Sequence, residues 1–145
     1  MMTEKDLLRY KYAVLEERRR RRIVVEHEAK LNALKPCISA TPPNYGGDGT
    51  GKIAADLDRL DRSRAKLKEA IEEVSLAELV LESARKHLDE QERDVFDVLY
   101  FGCYNNVGER VFCTIREAAS RLRYAPSSIY YYRRRILEKI APLPA

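Results

Sequence analysis

The residues best equipped for chemistry lie near the end of the chain, where Tyr130, Tyr131 and Tyr132 run directly into Arg133, Arg134 and Arg135. A guanidinium donates in a planar fork that fits phosphate oxygens, and a tyrosine offers a flat apolar ring with a polar tip. Together they supply the chemistry of gripping a polyanion rather than of breaking bonds. Ser127 and Ser128 stand just ahead of the run, and Arg116, Arg121 and Arg123 precede it. On a helix, at about 100° per residue, Ser127, Tyr130, Tyr131 and Arg134 share one side, and Ile129, Tyr132, Ile136 and Ile140 share the other. One side is then free for a partner and the other for a core. The plainer reading is a terminal amphipathic helix with a solvated basic face. Charge favours binding: the chain carries a net +4, yet residues 99–145 carry +5 with no aspartate, against −5 over residues 53–98. That asymmetry is what a phosphate-binding surface needs.

Other chemical candidates are weaker. GGDGTGK, residues 46–52, fits the spacing of a phosphate-binding loop, but Ile53 follows where a magnesium-binding Ser or Thr should stand. No parallel-sheet pattern accompanies it, so a flexible interhelical loop is expected. His27 and His87 are isolated in charged helix and read as solvated imidazoles. Cys37, Cys103 and Cys113 have no short C-x-x-C spacing, which supports neither a zinc site nor a disulfide framework; Cys113 is expected to be half-buried. The carboxylates of residues 56–97 sit among basic neighbours with no sign of a pocket. We therefore assign no catalytic residue, no metal ligand and no cofactor, and expect a protein that is not an enzyme.

A chain of 145 residues suffices for one ordinary domain, or a small globular unit plus an extended helical one. A composition 45% hydrophobic and 34% charged is too apolar for disorder and predicts helices with wide solvated faces. Residues 3–34 lack Gly and Pro and are rich in Leu, Glu, Lys and Arg, which predicts one long helix. The arginines of residues 18–22 point all round it, with Glu16, Glu17 and Glu26 in pairing distance, so a solvated coiled-coil surface is expected there, with direct DNA contact as the alternative. A Pro/Gly-rich loop over residues 36–51 ends it. Ile53, Leu57, Leu60, Arg64, Leu67, Ile71, Val74, Glu78, Leu81, Arg85 and Leu88 then follow spacings of four and three, a heptad seam flanked by Ala65, Ala77 and Ala84. Two helices of about 48 and about 54 Å predict an antiparallel hairpin, or pairing of each with a second chain.

Beyond Leu88 the elements shorten. Asp89 is placed to cap a helix running to Phe101 with Val95, Val98, Leu99 and, as a further candidate, Phe96 inward, and residues 102–113 read as a loop or a small turn. Thr114 and Glu117 form a T-x-x-E capping box, so a helix begins at Ile115 and buries Ile115, Ala118, Ala119 and Leu122. After the turn Arg123, Tyr124, Ala125, the missing N–H of Pro126 suits the first position of a last helix. Two short helices around a tight turn are the layout of a helix-turn-helix, whose second helix enters the major groove of DNA. Ser127, Ser128, Tyr130 and Tyr131 are then placed for base edges. Arg116, Arg121, Arg123, Arg133, Arg134 and Arg135 are placed for phosphates.

The segment LDEQERDVFDVLYFG resembles the first helix of region 4 of bacterial sigma factors, and TIREAASRLRYAPSSIYYYRRRILEKI resembles that family's helix-turn-helix without a gap. With the long helical N-terminus, the whole chain resembles phage and prophage transcription regulators of the RinA/ArpU type. The resemblance implies control of phage late or packaging genes in the cytoplasm of a bacterial host, on double-stranded DNA, alone or with host RNA polymerase. Arg123 departs from the family's turn glycine and Ala125 from its Ser or Thr cap. Pro126, Tyr130 and Tyr131 stand where sigma factors carry longer polar side chains.

The expected architecture is thus all-α: a long antiparallel, coiled-coil-like hairpin over residues 1–87, then a sigma region 4-like helix-turn-helix over 88–145. A homodimer through the long helices is an expected partner state. No run of about 18 apolar residues appears and the opening MMTEKDLLRY lacks a secretion signal's apolar core, so no membrane partner is expected. Two rival functions remain, the small subunit of a phage terminase and a helical protein-interaction module.

Overall fold

The computed structural model describes the backbone of residues 1–40 and 46–145 and the side chains of residues 1–33 and 52–145. The chain is all-α in class, with helix α1 at Glu4–Ala40, α2 at Gly46–Arg85, α3 at Glu90–Phe96, α4 at Ile115–Leu122 and α5 at Pro126–Ile140. A π-helical segment, Asp97–Phe101, extends α3, and strands β1 (Cys103–Tyr104) and β2 (Arg110–Val111) lie between it and α4. No described helix is long and apolar enough to cross a membrane.

Helical backbone continues through Pro36 and resumes at Gly46, so the break expected over 36–51 is narrower. Its centre, residues 41–45, lies outside the described residues, while the phosphate-loop-like 46–52 takes helical backbone within α2. The division of the chain also differs from 1–87 and 88–145. Residues Met1–Ala13 cluster with Val74–Ala145, and Val14–Glu73 forms the second unit.

In the Val14–Glu73 unit the two long helices lie side by side. The Ser63 hydroxyl lies 2.8 Å from the Arg59 carbonyl oxygen and shares a hydrogen bond with His27 Nδ1, also at 2.8 Å. His27 is therefore half-buried and engaged between helices, a correction to the solvated imidazole expected from its charged neighbours. Arg64 reaches Glu28 at 3.2 Å. The basic run is tied locally, Arg19 and Arg20 to Glu16 and Arg21 to Glu17, as a solvated helix face would be.

The buried seam of α2 is shifted from the expected one. Leu60, Ser63, Ala70, Ala77, Leu81 and Ala84 are buried, as is Leu88 just beyond the helix, whereas Arg64 and Ile71 are exposed and Glu78 and Arg85 half-exposed. One heptad position thus holds Ser63, Ala70, Ala77 and Ala84 at intervals of seven. Small side chains there let a neighbouring backbone approach closely, which a search for large apolar residues overlooks.

The other unit is built on α3, α4 and α5, with α5 packed on both others. Val95, Phe96, Tyr100, Ala118, Ala119, Ile129, Ile136 and Ile140 are buried, joined by Met2, Leu7 and Tyr10 from the start of the chain. Tyr10 stacks edge-on to Phe101 at 5.6 Å and Phe112 at 6.3 Å, and Phe101 meets Phe96 at 5.9 Å. The Met2 N–H donates to the Leu143 carbonyl at 2.9 Å.

The expected loop 102–113 contains an antiparallel hairpin, Cys103 opposite Val111 and Tyr104 opposite Arg110. Asn105 Oδ1 closes its turn by accepting from the N–H groups of Val107 (3.0 Å) and Glu109 (2.9 Å). Gly102 enters the hairpin at φ +84°, where a Cβ would stand 2.6 Å from the Val111 carbonyl oxygen.

Candidate nucleic-acid interface

The helix-turn-helix expected over 114–140 is present as α4, a turn at residues 123–125, and α5. Thr114 takes extended backbone and its Oγ1 accepts from the Glu117 N–H at 3.3 Å. The return half of the expected box is replaced by a 3.3 Å contact between the Thr114 hydroxyl and Glu117 Oε1. The complete capping box stands instead at α3. There the Glu92 N–H donates to Asp89 Oδ1 (2.9 Å) and the Asp89 N–H to Glu92 Oε1 (3.0 Å).

α4 ends as Arg123 adopts the left-handed conformation, φ 58° and ψ 39°, and the Tyr124 N–H returns to the Ala119 carbonyl at 3.0 Å. Ala125 precedes α5 without a side-chain cap, and Pro126 supplies the preset first residue. Burial sorts α5 into the two expected sides. Ile129, Ile136 and Ile140 are fully buried and Tyr132 half-buried, its hydroxyl donating to Gln91 Oε1 at 2.8 Å. Ser127, Tyr130 and Arg134 are exposed, as is Tyr131, and Ser128 is half-exposed.

The three consecutive arginines do not share one role. Arg133 is held by Glu4 in a bidentate pair, Nε to Oε1 at 2.9 Å and Nη2 to Oε2 at 2.7 Å. Glu4 Oε1 also accepts from the Tyr100 hydroxyl at 3.1 Å. The Arg133 hydrogen bond holds the Glu4 carboxyl below its ordinary value, and the same bond pushes the guanidinium up. Burial, followed by the charge of Glu4, pushes the Tyr100 phenol up. Arg135 donates to the Tyr131 hydroxyl at 3.1 Å and lies 3.3 Å from Glu92 Oε2, supplying charge without an aligned hydrogen bond. Glu92 is fully buried and its Oε1 also receives Lys139.

Arg133 and Arg135 thus each have a carboxylate partner within the protein while remaining half-exposed. Long cationic side chains near a buried carboxylate gain more there than in water. Arg116, Arg121, Arg123 and Arg134 are exposed and, among the described residues, make no ion pair. Glu4, Glu92, Tyr100 and Lys139 join the site without being among the residues expected there. Asp89 and Glu92 were legible as D-x-x-E, whereas nothing local connects Glu4 with Arg133, 129 residues away. Compared with family models, curated proteins and solved structures, the chain finds no match.

Proposed function

We propose that the protein is a sequence-specific DNA-binding transcription regulator that reads promoter DNA with the outward side of α5. The observation that carries this is the pairing of an exposed Ser127, Tyr130, Tyr131 and Arg134 face with a fully buried isoleucine face on the same helix. Arg116, Arg121 and Arg123, which lack carboxylate partners among the described residues, add cationic groups on α4 and the turn. Tyr130 and Tyr131 reach base edges or sugars, and Ser127 and Ser128 the start of the groove contact. The resemblance to phage and prophage regulators extends the proposal to late-gene control, with host RNA polymerase as a partner. A homodimer through the long helices remains part of the proposal as a partner state.

Selection of bound duplexes with purified protein, followed by anisotropy titration across salt concentrations, tests the reading. Arg134→Ala flattens the log affinity against log salt slope by about 0.9, the loss of one phosphate contact. Replacing Arg133 and Glu4 together by Ala and Gln, which removes the ion pair without changing net charge, leaves the slope unchanged. Failure to bind any duplex at low salt overturns the proposal. A closed ring of many subunits in solution, with DNA binding intact, transfers it to the terminase small-subunit reading.

A further inference from the structure

Cys103 ends up beside Cys113 because the hairpin folds residues ten apart onto one another. The Cys113 thiol donates to Cys103 Sγ at 3.9 Å, and both side chains are half-exposed. Cys103 lies opposite Val111, two residues ahead of Cys113, so the sulfurs approach diagonally across the two-strand ribbon. A disulfide bond is about 2.05 Å long, so closure needs an approach of about 2 Å, within reach of side-chain rotation and small backbone adjustment. Partial exposure admits a small co-reactant.

We infer that Cys103 and Cys113 form a reversible dithiol–disulfide site that clips the hairpin to the start of α4. The co-reactant is a low-molecular-weight disulfide. The Cys103 thiolate attacks one of its sulfurs, forming a mixed disulfide and releasing one thiolate. Cys113, after losing its proton to solvent, attacks Cys103 Sγ and releases the second. Two protein thiols are oxidised to one disulfide as the co-reactant is reduced to two thiols. Burial and then the adjacent Cys103 sulfur push the Cys113 thiol up, which suits it to the second, resolving step. The clip has a direct structural target, since Cys113 adjoins Thr114, the residue whose hydroxyl caps α4.

Cys37→Ser protein, equilibrated in glutathione disulfide and then alkylated, provides the test. The expected product is a monomer that has lost two hydrogens, takes up no alkylating reagent, yields a Cys103–Cys113 cross-linked peptide and returns to two free thiols with a reductant. Cys37→Ser/Cys103→Ser, which retains only Cys113, stops at a glutathione adduct or stays reduced. Thermal unfolding of the bridged monomer shows a higher midpoint than the alkylated dithiol form. Two thiols that stay free, a stable glutathione adduct in the Cys37→Ser protein, or bridges solely between chains would each overturn the inference.

Discussion

At the scale of single residues, the decisive facts are which cations have internal partners. Glu4 holds Arg133 through two hydrogen bonds, so Glu4→Gln costs about 1 kcal/mol at neutral pH, a half-exposed bidentate pair being worth that order. Because the folded carboxyl lies below its ordinary 4.5, its stabilisation is complete above that value and is lost as pH falls through the lower folded value. Thermal unfolding of both proteins should therefore give separated midpoints at pH 7 that converge in strong acid; a gap that persists there would show that the ion pair is not its source. Arg123 makes a different case. Its left-handed backbone costs a branched or long side chain roughly 1 kcal/mol that glycine avoids. Arg123→Gly should raise the unfolding free energy by up to about that amount and, under the proposed function, weaken DNA binding, two opposite readouts from one substitution.

At the scale of elements, the two helix starts differ in how completely they are capped. The α4 cap is one-sided, and Thr114→Ala should cost about 1 kcal/mol in urea unfolding. The α3 cap is reciprocal and anchors Glu92, which also gathers Lys139 and Arg135 from α5. Asp89→Ala should lower the urea midpoint further than Thr114→Ala, since it disturbs a buried carboxylate as well as a helix end. Equal midpoints would show that Glu92 holds α5 without its cap. The helix-turn-helix boundaries were legible in Thr114, the turn and Pro126 because caps and proline act over three or four residues. The β-hairpin was not, since Asn105 and Gly108 fit any polar loop and only pairing distinguishes a hairpin.

At the scale of the molecule, the unit that carries α5 is completed by the far end of the chain. Leu7 is fully buried and Tyr10 nearly so in a unit otherwise formed after residue 73. Burial of side chains that size contributes about 2 to 3 kcal/mol each, a large part of the 5 to 15 kcal/mol that stabilises a typical domain. A fragment of residues 88–145 should therefore lack a cooperative melt by circular dichroism, while the full chain retains one. A sharp transition in the fragment would show that the N-terminal residues are dispensable.

Helix content, the two-sided pattern of α5 and the basic end of the chain were determined by residue order alone, since periodicity, caps and charge are properties of neighbours. Tertiary structure decided the register of the α2 seam, the engagement of His27, the capture of Arg133 by Glu4 and the meeting of Cys103 with Cys113. Each of these depends on which backbones approach and how closely, and that distance is set by packing across the fold rather than by spacing along the chain.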